Sequence, residues 1–586
     1  MTIKNTVLLV GGGPMALMTA LEFIRNAPEK ITDKITKLII VSREKKQKLG
    51  WGDIIDTLHP EVIFNVTAAN MSMDPRNPDQ LIQYLTCNPL TECLQKKVNE
   101  LNTSALLSQQ YLPRQILQQV AQKLAIQLEL EADEKGIFYE FIHGEVINIH
   151  DNILEDQRTE QKSEAIVTIV QLQDSGKIVQ KEITATVVAL AFGAPKSLLQ
   201  DEELLAEVPG FISDPHHPSP SNSLYPDFNF DTLQDDHIIG ITGSKLTAVD
   251  IALIYHARGY FKHPNRKLYF ISPSGEFPYP QAAGNSNADG SYQDASFTKN
   301  LSLPASLRHP VTAQDLADVM ILSCLYAAGL TYDGNILSIP KHVQDTGSVL
   351  HNLSHKGQEV LKRKAITDPT LVEKFHTARK RVYDWQLAID CDFRPHMETI
   401  WSRFDAREKK IWNRDFESLW NKLRHRVPVN VYHLLVKLQS SGHIVMMRGK
   451  VTSMREEGNR ISLFCNNQDE VPILQAEEVI KATGWEQSRP IDALPMLRMA
   501  RRHYIVHMEN STNLGVVVSN CNQHNVIIIG QLEWIKRKEI SGFQQLRQRA
   551  ITAGVELWQM VNAQEKEIHA SLQAKRGMLA IKAFAH

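Results

Sequence analysis

Residues 7–23, VLLVGGGPMALMTALEF, constrain the fold more than any other stretch of the 586 residues. Val7, Leu8, Leu9 and Val10 form an unbroken apolar run, which suits a strand buried on both faces of a parallel sheet. Met15, Ala16, Leu17, Ala20, Leu21 and Ile24 then recur at helical spacing. Gly11 and Gly13 fall between the two, where a strand-to-helix turn must be tight and bare. Backbone N–H groups in such a turn can reach a pyrophosphate, and the helix N-terminus faces its charge. Ala16 takes the third small position of this fingerprint, and Pro14 sits in the first helical turn, where a missing N–H costs little. The order of strand, glycines and helix reads as a dinucleotide site.

The next strand, LIIVSRE at 38–44, departs from that pattern at its end. An acid usually stands there to hold the adenosine ribose. Here Ser42 and Arg43 end the strand and Glu44 comes late, so either Glu44 reaches back or Arg43 binds phosphate or stacks on the base.

A second turn of the same kind lies at 237–260, HIIGITGSKLTAVDIALIYHARGY. Gly243, Ser244, Lys245 and Thr247 occupy it, with Lys245 where the second glycine belongs. The strand that follows, KLYFISPSGEFPYP at 267–280, ends at Ser272 without a following arginine. This half is read as a nicotinamide nucleotide site with little discrimination between NADPH and NADH.

Two further regions share one layout. Residues 143–195 and 441–485 each read as a strand, a hairpin with a polar turn, and an apolar strand running into glycine, at Gly193 and Gly484. The layout resembles that of two-dinucleotide flavoproteins, where such a hairpin precedes a strand returning to the nucleotide domain, and this resemblance implies that Gly193 and Gly484 are close approaches to a cofactor. Residues 300–430 have a mostly helical pattern. Trp401, Phe404, Trp412, Phe416, Leu419, Trp420 and Leu423 make an apolar stripe that reads as packing. The stripe ends in Arg424, His425 and Arg426 before Pro428, either as cations favoured at a helix C-terminus or as an anion clamp. His216 and His217 are adjacent in a proline-rich loop with no third ligand, so no metal site is expected.

The net charge of −2, from 64 basic and 66 acidic residues, makes no electrostatic case for nucleic acid or an anionic membrane. No apolar run approaches a membrane span, and the first one is already the glycine-turn strand, which argues against a signal peptide. The six cysteines form no CxxC pair. A cytoplasmic protein acting on a small molecule is expected; nothing in the sequence reports the oligomeric state.

Together these blocks resemble a bacterial family of FAD/NAD(P)-binding oxidoreductases, distantly like N-hydroxylating flavin monooxygenases. FNVTAANMSMDPRNPDQLIQYL at 64–85 is similar to its Asn-Val-x-Ala…Met-Ser block, which implies that Asn65 and Met71 lie at the flavin ring. QYLPRQIL at 110–117 is similar to its Pro-Arg block and implies a cofactor role for Arg114. GSKLTAVD resembles its Gly-x-Gly-Leu-Thr-x-x-Asp turn through Gly243, Leu246, Thr247 and Asp250. EISGFQQLRQRA at 539–550 matches its last helix. KATGW at 481–485 resembles the Ala-Thr-Gly-aromatic block of N-hydroxylating flavoenzymes and implies that Gly484 and Trp485 lie near flavin and substrate. NVIIIGQLEW at 525–534 ends a strand at Gly530, where Gln531 replaces the aspartate that commonly holds the ribityl chain.

The expected fold is α/β, with two Rossmann-like dinucleotide-binding domains and a helical insertion. Residues 1–230 are assigned to the first part of an FAD domain, 231–435 to an NAD(P)-binding-like domain carrying the insertion, and 436–586 to the return segment and last helix of the FAD domain. The resemblance implies an FAD-dependent, NAD(P)H-driven monooxygenase on a small amine or amino acid. A reductase or oxidase without oxygen insertion, or a non-catalytic flavin-nucleotide-binding protein, are the alternatives. The flavin carries such chemistry, so no catalytic side chain is assigned.

Overall fold

The structure is a computed structural model. It describes residues 3–28, 35–101, 106–151, 165–172, 178–191, 205, 208, 210–281, 312–327, 331–333, 336–338, 356, 359–360, 393, 397–465, 471–483, 504–505, 516–519, 526–529 and 546–562.

The opening apolar run becomes the central strand Ile3–Val10 of a seven-stranded sheet. Val526–Ile528, Val187–Leu190, Ile3–Val10, Ile35–Ser42 and Phe138–His143 follow one another in that order, all parallel. Alternation along the central strand divides its side chains between two cores. Val7 and Leu9 face a helical layer, while Leu8 and Val10 face a three-stranded antiparallel sheet of Glu145–Asp151, Ala165–Leu172 and Ile178–Ala185. The helical layer contains Pro14–Arg25 and Gln115–Glu134, the latter burying Ile116, Leu117, Val120, Ala121, Leu124, Leu128 and Ala132 at helical spacing.

A second sheet repeats the plan. Phe211–Ile212, Glu478–Lys481, Ile238–Thr242, Lys267–Ser272 and Ile444–Arg448 are parallel in that order. The helices Leu246–Ala257 and Val429–Ser440 pack on one face. The antiparallel strands Val451–Glu457, Arg460–Cys465 and Leu474–Ala476 cover the other. The fold is therefore two Rossmann-type units of one design, as the two glycine turns and the two hairpin regions imply.

One boundary moves. Residues 436–482 were expected to return to the first domain, but Ile444–Arg448 and Glu478–Lys481 pair inside the second sheet, and Phe211–Ile212 forms its edge. The return to the first sheet comes later, at Val526–Ile528. The tryptophan stripe is packing: Phe404, Trp412, Leu419, Trp420 and Leu423 are buried. Its helix is interrupted by a π-helical turn at Trp412–Phe416. Among the described residues no helix is long and apolar enough to cross a membrane, and no group of His, Cys, Asp and Glu is arranged to hold a metal ion.

The helix at 546–562 closes the first domain by packing on Pro14–Arg25. Trp558 stacks on Phe23 with ring centroids 4.8 Å apart, and its indole N–H donates to the Phe23 carbonyl. The foot of the same first helix is held by charge. Arg25 donates to Asp74 at 2.7 and 3.1 Å and to Glu131 at 2.9 and 3.1 Å. Burial works against the Arg25 cation, but the bonds to Asp74 and Glu131 outweigh it and raise its pKa. Burial also works against the Asp74 carboxylate, and Arg25 outweighs it, holding that carboxyl below its usual range. The stability this pair contributes is present at neutral pH and is lost as the pH falls below the ordinary aspartate value. Arg25→Met leaves Asp74 buried without its cation, so urea unfolding at neutral pH is expected to show a loss of about 3 kcal/mol.

Candidate nucleotide-binding site

The first turn is built by close backbone approach. Gly11 has φ +122°, its N–H donates to the Val41 carbonyl at 2.8 Å, and a Cβ there would lie 2.4 Å from the Ala191 oxygen. A Cβ on Gly12 would lie 2.2 Å from Ser42 Oγ. Gly13 differs: it caps the helix in an extended conformation, and a Cβ would meet only Gly52 Cα, at 3.7 Å. No side chain caps this helix and its first turn holds no acid, so its leading N–H groups are left for an anion. Pro14 is the first helical residue and Ala16 is fully buried, as the fingerprint requires. These residues fit the pyrophosphate of a dinucleotide. The sequence reading missed the loop that flanks them. Gly50 (φ +88°) donates to the Gly12 carbonyl at 2.7 Å, and Gly52 (φ +56°) lies against Gly13 and Pro14.

The second turn copies the first. Gly243 has φ +114°, donates to the Ile271 carbonyl at 2.8 Å, and would place a Cβ 2.4 Å from the Ala482 oxygen. Lys245 takes the place of Gly13 as the residue capping the helix, in the same extended conformation and again without a side-chain cap. Ala248, fully buried, takes the place of Ala16. Ser244 Oγ donates to Ser272 Oγ at 2.9 Å, which ties the turn to the end of the neighbouring strand. Thr247 stands half-buried in the first helical turn. Lys245 is exposed to solvent yet crowded by protein. That crowding lowers its ammonium pKa; Glu417 opposes the shift and Arg424 adds to it. The helix Glu417–Arg424 of the insertion therefore bears on this turn, and Arg424 and Arg426 are both buried.

Two expected cofactor residues have other places. Arg114 donates to Asp250 Oδ2 at 2.8 Å and to the Ile63 carbonyl at 3.2 Å. It joins the two domains, because Asp250 stands in the helix opened by the second turn. The Pro-Arg and Gly…Asp blocks are thus two halves of one ion pair. Met71 is wholly buried in the first core and offers no surface to a ligand. Asn65, half-buried on the strand Ile63–Thr67, stays available. At the end of the second strand Arg43 and Glu44 are exposed. The Arg43 carbonyl meets a His143 ring nitrogen at 2.9 Å, and the Glu44 carboxylate is 3.8 Å from Lys48 Nζ. Gly193, Gly484, Trp485, Gly530 and Gln531 lie outside the described residues.

Residues 8–173 match the sequence profile of a family described as FAD-NAD(P)-binding. No curated protein matches the sequence. Similar solved structures include the reduced form of ornithine hydroxylase from Pseudomonas aeruginosa (12% identity, 96% of this chain and 100% of that one, TM-score 0.49). The FAD-bound cadaverine monooxygenase of desferrioxamine biosynthesis from Erwinia amylovora is similar at 12% identity, over 96% of this chain and 95% of that one, with TM-score 0.49. Ornithine N-hydroxylase from Kutzneria sp. 744 is similar at 12% identity, over 94% and 99%, with TM-score 0.47.

Two outcomes are expected of this geometry. Gly11→Ala is strained and presses on the Ala191 carbonyl, so it lowers the thermal midpoint. At Gly13 a Cβ has room within the protein, so Gly13→Val is expected to fill the ligand space and abolish flavin retention, with circular dichroism checking the fold; a yellow Gly13→Val protein refutes the site. The domain junction should titrate. Burial raises the Asp250 carboxyl to about 6, with Arg114 opposing. Because the native pKa lies above the unfolded one, this group's contribution favours the folded state most at low pH. That contribution declines as the pH rises from about 4 to about 6. Urea midpoints measured across that window are expected to lose this component in Asp250→Asn.

Proposed function

We propose that the chain is an FAD-dependent, NAD(P)H-driven oxidoreductase that oxidises the amino group of a small amine or amino acid. The observation that carries the reading is the doubled turn. Two strand-to-helix turns with the same carbonyl contact and the same uncapped helix head supply two nucleotide sites in one chain. The first, with its glycines intact and inside the matched segment, is assigned to FAD; the second, with Lys245, is assigned to the nicotinamide nucleotide.

When bound, FAD would supply the redox chemistry between a nicotinamide nucleotide and oxygen. The residues of this chain do the positioning. The Gly11–Gly13 turn and the head of the helix Pro14–Arg25 hold the FAD pyrophosphate. At the second turn Lys245 replaces a backbone approach with an ammonium, whose charge pairs with phosphate. Arg114 and Asp250 fix the second nucleotide helix against the first domain, which sets the separation of the two sites. The amine direction rests on the resemblance of KATGW, at the return strand of the second domain, to the block of N-hydroxylating flavoenzymes. The relatives named above act on ornithine and cadaverine, which defines the first compounds to try.

The test begins with purified yellow protein under anaerobic conditions. NADPH or NADH is expected to bleach the flavin. In air, nucleotide and oxygen consumption are expected to rise together with one amine or amino acid from a panel that includes ornithine, lysine and cadaverine. Bleaching with amine-independent hydrogen peroxide release throughout the panel would make the protein a reductase or oxidase instead. Failure of both nucleotides to bleach the wild type, with bleaching restored in Lys245→Gly, would show that Lys245 blocks the second turn.

A further inference from the structure

We propose that Arg448 reads the 2′-phosphate of NADPH, so that the second domain selects NADPH over NADH. This inference rests on the reading of the second turn as a nicotinamide nucleotide site. In a dinucleotide fold the ribose 2′ position is recognised at the end of the second strand, by an acid for NAD or by a nearby arginine for NADP. That strand is Lys267–Ser272. Pro273, Ser274 and Gly275 follow, and the first acid, Glu276, comes only after them. Local sequence therefore provides neither reader.

The neighbouring strand provides one. Ser272 pairs in register with Arg448, and the Gly449 N–H donates to the Ser272 carbonyl at 3.0 Å. Arg448 is thus the last residue of Ile444–Arg448, one strand spacing of about 4.8 Å from the expected ribose position. Gly275 (φ +62°) folds the loop back so that a Cβ there would lie 3.3 Å from Arg448 Cβ. The loop brings the Ser272 and Ser274 hydroxyls, 3.4 Å apart, to the same strand end. Arg448 is exposed and engages no carboxylate among the described residues. A guanidinium so placed offers paired N–H donors to a phosphate dianion.

The first domain provides the internal comparison. There Ser42 pairs in register with His143, whose ring meets the Arg43 carbonyl at 2.9 Å. The equivalent position in that domain is occupied by a hydrogen-bonded imidazole rather than an unengaged cation. FAD carries no 2′-phosphate and needs no such reader. The two halves share the turn and differ at the position where their assigned nucleotides differ.

The test is calorimetric titration of the FAD-loaded protein at fixed salt with 2′,5′-ADP, 5′-AMP, NADPH and NADH. Wild type is expected to bind each 2′-phosphorylated ligand at least about tenfold more tightly than its partner without that phosphate, a difference of about 1.4 kcal/mol. Arg448→Ala is expected to weaken 2′,5′-ADP and NADPH by about that factor while 5′-AMP and NADH change little, and Arg448→Lys to recover part of the loss. Circular dichroism and flavin content check that the exposed substitution leaves the fold intact. A preference that survives Arg448→Ala, or a wild type without preference, overturns the assignment while the nucleotide site stands. If no nucleotide binds the loaded protein, the reading of the second turn falls and Arg448 falls with it.

Discussion

The contact on which the rest of this structure depends is a missing methyl group. At Gly11 and again at Gly243 the chain leaves a parallel strand with positive φ and passes so close to a neighbouring carbonyl that a Cβ would lie 2.4 Å from the oxygen. Any other residue would push the helix away from the sheet. Because the approach is so close, the helix starts directly above the strand ends and its N–H groups face outward, uncapped by any side chain. The sheets, the helical layers and the hairpin sheets on the opposite faces are arranged around these two points. The carbonyls belong to Ala191 and Ala482, each just beyond the strand that returns from a three-stranded hairpin sheet. Each hairpin region and its glycine turn are therefore one device, used twice.

The two devices are related by apolar packing, with Val62 and Ile63 buried in the core of the second domain, and by charge. Arg114 and Asp250 meet at 2.8 Å in a junction where Asp250 is buried. A buried pair of this kind gives weak net stability, but loss of one partner leaves an uncompensated buried charge. The insertion adds a second layer of charge, with Glu417 and Arg424 acting on Lys245. Glu417 is itself oriented by bonds from Trp412 Nε1 at 2.9 Å and Asn421 Nδ2 at 3.0 Å. A π-helical turn, Trp412–Phe416, immediately precedes Glu417.

Much of the fold was legible because it rests on local pattern. An apolar run followed by glycines and a helical period identifies Ile3–Val10 and Pro14–Arg25 directly, and the same pattern survives at Ile238–Thr242 despite Lys245. Pairing across long separations is not written locally. The boundary near 435 was misplaced because an apolar strand such as Glu478–Lys481 fits either sheet, and only register decides between them. Arg114 was given a cofactor role only through the resemblance of the Pro-Arg block; its bond to Asp250, 136 positions away in another domain, is not written in the local sequence. Met71 carried a motif position but is buried in the core. Arg448 was invisible for a different reason: a search for a phosphate reader follows the chain past Ser272, and the structure supplies it from beside the strand. Ala248 could have been found from sequence, since it stands at the fingerprint spacing from Gly243.

The closing helix has a consequence for the order in which the protein is completed during synthesis. Phe23 and the Trp558 that covers it are 535 positions apart. At ribosomal rates of roughly 5–20 residues per second, about 30 to 110 s pass between their appearances. All five strands of the second sheet lie between Phe211 and Lys481, so that domain can close while the chain is still growing. The domain begun first is thus finished last. Its glycine turn is made before the second domain, but the helix behind that turn lacks its Trp558 cover until after the strands of the second domain have emerged.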